Sequence, residues 1–290
     1  MNSRRTFIKQ SAIALAGAAI LPGFACSAAK NDVVGLQLYT LRDLLPKDVK
    51  GVIEKVAAAG YREVETYGYT AESKFWGMDI KSFKSLLEAN GLKAPSGHFG
   101  LDNYIKTGDT EELKTLIEGA AGLNMSYLTC PYLDQSLRSN AEDYKRVAER
   151  LNEAAALCKQ SGLQLAYHNH DFEFQKHGER TGYDILLEET DKDQVQFEMD
   201  LYWVVRAGLD PKDLFDKHPG RFVMWHVKDM DKADNTLNTE VGDGKVDFKT
   251  IFKHAKLAGL KHAIVEQENF SIDPYVSIKK SFDYVDRQLL

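Results

Sequence analysis

Residues 163–174 read LQLAYHNHDFEF, an apolar run that ends in two imidazoles, His168 and His170, and two carboxylates, Asp171 and Glu173. Side chains of these types, brought together, hold a divalent ion, pass protons, or do both. The same grouping follows other apolar runs. Glu65 and Tyr67 close one, His98 another, and Glu198 and Asp200 a third, while Trp225-His226-Val227-Lys228-Asp229 and Glu266-Gln267-Glu268-Asn269 close two more. A single His at such a place is more often a hydrogen-bonded structural group than a ligand. Jointly, carboxylates held close together repel unless a cation or a shared proton lies between them, which argues for a metal. The set contains no thiolate, so a divalent Mn, Co, Mg, Fe or Zn ion in N/O coordination is expected, with no choice among them.

Such groups converge only if the runs that carry them are neighbouring strands of one sheet. Strands are predicted at Val34–Tyr39, Glu63–Tyr67, Ala94–Phe99, Ser126–Pro131, Leu163–Asn169, Gln196–Asp200, Phe222–Val227 and Ala263–Glu268. Stretches of helical period lie between them, among them Lys47–Ala59, Ile80–Asn90, Glu111–Leu123, Asp143–Ser161 and Phe248–Ala258, several closed by a glycine (Gly60, Gly91, Gly162, Gly259). Eight alternations over roughly 260 residues predict an α/β fold, a closed (β/α)8 TIM barrel whose reactive groups sit at the C-terminal ends of the strands. The rival, an open doubly wound sheet, usually carries a glycine-rich phosphate loop after its first strand, and Leu38–Asp43, LYTLRD, has no glycine. No repeat or long linker divides residues 30–290, which are expected to form one barrel domain.

The N-terminus reads differently. Ser3-Arg4-Arg5-Thr6-Phe7-Ile8-Lys9 precedes the apolar run SAIALAGAAIL, too short to span a bilayer. This predicts a twin-arginine export signal over residues 1–29 and a periplasmic protein. Gly23-Phe24-Ala25-Cys26 loosely matches a lipoprotein box, and Ser27-Ala28-Ala29 matches an ordinary cleavage site, so a lipid anchor at Cys26 facing the periplasm stays open. Without residues 1–29 the chain loses three of its 37 basic side chains and none of its 43 acids, leaving a formal charge of −9. That balance argues against a nucleic-acid partner. Cys130 and Cys158 are expected as free buried thiols.

Five stretches carry a family resemblance: Gly35–Asp43 (GLQLYTLRD), Met199–Trp203 with the later Gly208–Pro211, His226–Asp229, Gly242–Asp247 and Val265–Glu268. Together they resemble the xylose isomerase-like barrels, the superfamily of sugar phosphate isomerases and epimerases, inosose dehydratases and endonuclease IV-type repair enzymes, from about Val33 to the C-terminus. The resemblance implies a metal held by an acid after strand five, Asp200, His226 and Glu266. At strand five the family's usual Glu is replaced by His168. Either His168 is itself a ligand, or Glu173 curls back to supply the carboxylate while His168 and His170 face the substrate. Glu173 is the preferred ligand, since an Asp, a His and two Glu make a mildly charged octahedral set.

Proton abstraction next to a carbonyl is the chemistry such a site favours. The first expectation is isomerisation or epimerisation of a non-phosphorylated keto sugar through an enediolate. Elimination of a β-substituent from a keto-glycoside or inosose is the close alternative, and the histidine-rich mouth resembles the inosose dehydratase branch. A sugar-binding barrel without turnover and an endonuclease IV-type phosphoesterase complete the set, the last disfavoured by charge. Glu266 and one of His168, His170 or Glu173 form the expected acid–base pair. Lys228 would stabilise the oxyanion or form a plain salt bridge. Glu65, His98, Tyr39, Trp203 and Glu268 are the expected substrate contacts, with Trp225 and Tyr132 as further stacking candidates. No basic cluster suggests a phosphorylated substrate.

Overall fold

The computed structural model describes residues 33–290. Eight strands form the barrel: β1 (Val34–Gln37), β2 (Glu63–Tyr67), β3 (Lys93–His98), β4 (Tyr127–Cys130), β5 (Gln164–His168), β6 (Val195–Asp200), β7 (Phe222–Val227) and β8 (His262–Val265). Each pairs in parallel with its sequence neighbours, and β1 pairs with both β2 and β8, so the sheet closes into the expected barrel. Return of the chain to a parallel strand demands a crossover, and helices supply it.

These helices are α1 (Val49–Ala59), α2 (Ile80–Ala89), α3 (Asp102–Thr107), α4 (Thr110–Gly122), α5 (Ala141–Gln160), α6 (Gly182–Glu189), α7 (Leu201–Arg206), α8 (Pro211–Lys217), α9 (Phe248–Phe252), α10 (Ala255–Ala258) and α11 (Pro274–Gln288). Most start on an Asp or Asn whose side chain accepts an amide of the first turn, as Asp48, Asp79, Asn140 and Asp273 do. Gly60 ends α1 at φ +117°, where a Cβ would also strike the Phe282 ring. The stretch expected as one helix over 248–258 is two pieces. At Lys253 and His254 the amides bond only three residues back, to Thr250 and Ile251, and this tightening separates α9 from α10.

Side chains two apart on a strand point the same way. Inside the barrel, Tyr127, Ala166, Met224 and Ile264 belong to a small apolar cluster of their own. Two residues further along the same strands stand Thr129, His168, His226 and Glu266, so each strand steps from an apolar layer into a polar one. The alternate residues face the helices. Irregularities of register fall beside Glu65 in the β2–β3 pairing and beside Glu198 in the β6–β7 pairing, displacements of a kind that re-aims side chains.

Cys130 and Cys158 are buried and free, and burial raises both thiols, Cys158 to about 12. Among the described residues no helix is long and apolar enough to cross a membrane. The expected signal over residues 1–29 and the candidate lipid site Cys26 lie outside the described residues.

Candidate metal centre and catalytic pocket

Four buried side chains from consecutive strands meet at the mouth: His168 of β5, Asp200 of β6, His226 of β7 and Glu266 just past β8. Each offers one ligand atom within 4.8 Å of the others. Local structure aims them. His168 Nδ1 lies 3.1 Å from the carbonyl of Pro131. A carbonyl only accepts, so Nδ1 carries the proton and Nε2 keeps its lone pair. That Nε2 is buried without a hydrogen-bond partner, 3.6 Å from Asp200 Oδ2. Asp200 caps α7, its Oδ1 accepting the amides of Tyr202 at 2.9 Å and Trp203 at 3.3 Å. Its other oxygen, Oδ2, is buried and unpartnered. Glu266 Oε2 stands 3.2 Å from His226 Nδ1 and 3.0 Å from Lys228 Nζ.

Buried polar atoms left unpaired each cost about 1–3 kcal/mol. His168 Nε2 and Asp200 Oδ2 are therefore the atoms that ask for a ligand, and an imidazole lone pair beside carboxylate oxygens asks for a cation. The residues fit a divalent ion with N/O ligands. A second group, His98, His168, Glu198 and His226, overlaps the first and is also close enough to hold an ion.

Behind His226 lies a polar chain from the other half of the barrel. Glu65 accepts the Gln37 amide at 2.7 Å and the Ser96 hydroxyl at 2.5 Å, and its Oε2 lies 2.8 Å from His226 Nε2. His98 Nε2 bridges from Glu198, at 2.7 Å, to Glu65, at 3.3 Å. Burial pushes the Glu65 carboxyl up, but the His98 charge and the hydrogen bond from His226 outweigh it and bring it down to about 2. Glu198 goes the other way. Burial and then the neighbouring Glu65 charge hold it well above the carboxylate range. Burial also raises Glu266, yet the Lys228 ammonium and His226 overcome this and keep it well below the usual value. Burial opposes a charge on His226, but Glu198 and Glu266 raise it well above that of an ordinary histidine.

A cavity of about 380 Å³ opens onto this cluster. His98, His168, His170, Lys228, Glu266 and Glu268 give it a polar wall, and Tyr39 and Tyr132 stand exposed at its rim. Lys228 Nζ contacts Glu266 and Glu268 and lies 3.8 Å from Asp200 Oδ2. His170 is held well below the ordinary histidine value, first by burial and then by His168 and Lys228.

The profile of the xylose isomerase-like TIM barrels matches residues 53–288. The chain belongs to that family. Among the relatives of this xylose isomerase-like barrel, the inosose dehydratase of Clostridium perfringens is 26% identical over 234 residues, covering 69% of this chain and 75% of that protein. The inosose dehydratase of Lacticaseibacillus casei is 24% identical over 272 residues, with 81% and 87% covered. The crystal structure of a sugar phosphate isomerase/epimerase from Parabacteroides distasonis superposes with a TM-score of 0.77 at 27% identity, covering 91% and 97% of the two chains. The relatives are enzymes.

Three expectations change for this family member. Glu173, the preferred strand-five ligand, is not brought into either ion group. It sits in the turn Phe172–Phe174 with its carboxylate turned back, accepting the Tyr167 hydroxyl at 2.7 Å and the His170 amide at 2.9 Å. Tyr167 has outward parity on β5, so Glu173 belongs to the layer between barrel and helices, and His168 takes the strand-five place in the cluster. Burial raises Glu173 to about 8 against these donors. Glu65, expected at the substrate, is fully buried behind His226 and does not line the cavity. Trp225, a stacking candidate, also has outward parity and lies stacked on Phe215 at 5.0 Å and edge-on to Phe252 at 5.2 Å.

His98, Tyr39, Tyr132, Glu268, His170 and Lys228 line the cavity. Trp203 packs behind His170, ring centres 5.2 Å apart, with its indole N–H buried and unpartnered. Gln37 and Ser96 are site residues that the sequence does not single out, and Glu198, which the sequence places with Asp200 at its strand end, is given no role there. The period of two puts Glu198 on the face of Asp200. A second cavity, about 550 Å³, opens at the other end of the barrel beside Glu63, Lys93 and His262. Glu63 and His262 bond one another at 2.8 Å, and no unpartnered buried polar atom points into it.

Proposed function

We propose that this barrel is a divalent-metal-dependent carbon–oxygen lyase that removes the proton next to the carbonyl of a non-phosphorylated keto sugar, keto-glycoside or inosose and expels the β-oxygen substituent. One observation carries the choice of elimination. Glu266 is the single carboxylate that belongs to the Asp200-containing ion group and also lines the cavity, while the strand-five place is taken by the imidazole of His168. A site with one such carboxylate counts against epimerisation, which needs carriers on both faces, and suits a proton that is taken and handed on from one place. Ten curated relatives match, and those described above are inosose dehydratases.

His168, Asp200, His226 and Glu266 would hold the ion, which when bound supplies Lewis-acid polarisation of the substrate carbonyl. Glu266, kept ionised by Lys228 and His226, accepts the proton from the carbon next to the carbonyl. Protonated Glu266 then returns it to the departing β-oxygen, which leaves as water or an alcohol. Lys228, its charge reinforced by Glu266, Asp200 and Glu268 in spite of burial, presents a fixed ammonium to the developing oxyanion. His170, kept neutral, accepts hydrogen bonds from substrate hydroxyls. Tyr39 and Tyr132 offer ring faces to the apolar side of a sugar. Among the described residues Lys228 is the sole Lys or Arg lining the cavity and is engaged by two carboxylates, which favours an uncharged substrate over a phosphate ester. Export through residues 1–29 would bring the enzyme to free sugars, and the mass of the processed N-terminus tests it.

A second reading, isomerisation or epimerisation, is favoured by the 27% identical relative described as a sugar phosphate isomerase/epimerase. Epimerisation needs a second proton carrier on the opposite face, and His170 is the one at hand, whereas isomerisation returns the proton through Glu266 alone. Proton NMR in deuterated water with free ketoses, keto-glycosides and inososes separates the two. Release of water or alcohol supports the lyase, a deuterated product of unchanged composition supports the isomerase, and no exchange by the metal-loaded chain overturns both.

A further inference from the structure

Glu65 never reaches the cavity, yet it is fully buried and carries donors on both oxygens. Its Oε1 accepts the Ser96 hydroxyl at 2.5 Å, and Ser96 is backed by Thr129 at 2.8 Å. Its Oε2 accepts the Gln37 amide at 2.7 Å. Gln37 has no freedom to turn over, because its carbonyl oxygen accepts the Tyr39 amide at 3.0 Å. A carboxylate so held is an acceptor, and the next group on Oε2 is His226 Nε2 at 2.8 Å. The far nitrogen of that ring, Nδ1, faces Glu266 Oε2 at 3.2 Å and Asp200 Oδ2 at 3.8 Å.

We propose that Glu65 is a positioning residue that fixes His226 as its Nε2–H tautomer, turns the Nδ1 lone pair toward the ion, and so selects the group His168, Asp200, His226 and Glu266 over the overlapping group that contains His98 and Glu198. This rests on the metal-dependent reading above. Metal-binding histidines commonly donate their second N–H to a carboxylate, which sets ring orientation and raises ligand basicity. In the competing group the nitrogen nearest Glu198 Oε1 is His226 Nε2, at 3.4 Å, the nitrogen that Glu65 occupies. His168 makes the groups exclusive by a separate route. Its Nδ1 is spent on Pro131, so Nε2 is the one atom it has to offer, and one lone pair serves one ion.

The test uses the full chain stripped of metal and titrated with Co²⁺ and Zn²⁺. Wild type is expected to bind one ion per chain. Glu65→Gln is expected to bind it about 10–100-fold more weakly, because the amide NH2 can donate to Nε2 and drive the ring proton onto Nδ1. Glu65→Asp, which keeps the anion, recovers part of the loss. Ser96→Ala, a gentler change that keeps Glu65, costs a few-fold and serves if Glu65→Gln does not fold. Nitrogen-15 NMR of the Zn²⁺-loaded wild type reads the ring directly, with Nε2 protonated and Nδ1 ligating. A merely structural Glu65 would lower the unfolding midpoint and leave ion affinity and the Co²⁺ spectrum alone. Unchanged affinity in a folded Glu65→Gln, two ions per wild-type chain, or Zn²⁺ on Nε2 overturns the positioning role while the metal reading stands. A wild type that binds no ion overturns both.

Discussion

The two halves of the barrel carry similar polar layers to different ends. On β1–β4, Gln37, Glu65, Ser96 and Thr129 form a continuous hydrogen-bonded chain across four strands. On β5 and β6, His168 Nε2, Glu198 Oε1 and Asp200 Oδ2 are as deeply buried and have no hydrogen-bond partner. At about 1–3 kcal/mol for each unsatisfied atom, the second half sacrifices several kcal/mol that the first does not. The inner chain of the first half is complete without a ligand, and its one unpartnered strand oxygen, Thr66 Oγ1, has outward parity on β2. The second is shaped for one, and its completion is where affinity for an ion would come from.

The largest effects are expected from the unsatisfied half. Glu266→Gln should lower turnover by about 10²–10⁴, the range of a lost general acid–base group, with the fold retained. Asp200→Ala should lose the ion and also about 1 kcal/mol of stability, since the same carboxylate caps α7. Metal analysis and single-turnover exchange in deuterated water check both. Retention of the ion by Asp200→Ala would erase the distinction between the halves.

A position in the turn after β5, turned back toward the outward-facing Tyr167, sharpens it. Glu173 holds its proton up to about pH 8 in the folded chain, against an ordinary value of 4.5. Between those values the native state binds more protons than the unfolded one, so its contribution to stability falls as pH rises through the window and levels off above it. Glu173→Gln escapes that loss. Relative to wild type it should be a few kcal/mol better off at pH 8 than at pH 4.5, by urea unfolding, with its ion content unchanged. Loss of the ion in Glu173→Ala would restore Glu173 as the strand-five ligand.

The barrel was legible because eight apolar runs and their crossover helices repeat on a scale that composition and period reveal. The strand positions of Asp200, His226 and Glu266 were legible for the same reason. Short helices such as α7 and α8, of six and seven residues, fall below the length at which a helical period shows. At Glu173 and Trp225 proximity in sequence to the polar strand ends does not translate into a place at the site. Trp225 lies between His226 and Met224, which face in, and so must face out; Glu173 lies in a turn where strand parity gives no guidance. Glu65 showed its strand end but not its role, since the partners that immobilise it come from residues 37, 96 and 226. No local pattern encodes such a contact.

Parity itself can be tested on the working half by a matched pair of substitutions. Trp225 and Tyr132 are both aromatic, and both were candidates to stack on a sugar. Trp225 is fully buried between Phe215 and Phe252, whereas Tyr132 is 42% exposed at the rim. Trp225→Leu should therefore cost about 2–4 kcal/mol of stability through the cavity it leaves, with KM and ion content unchanged in the folded fraction. Tyr132→Ala should do the reverse, raising KM several-fold for a loss of about 0.5–1.5 kcal/mol of stacking while the unfolding midpoint stays put. A rise in KM with Trp225→Leu would mean that the outward layer of β7 transmits strain to the ion group. The working half would then extend through the wall of the barrel instead of ending at its inner face.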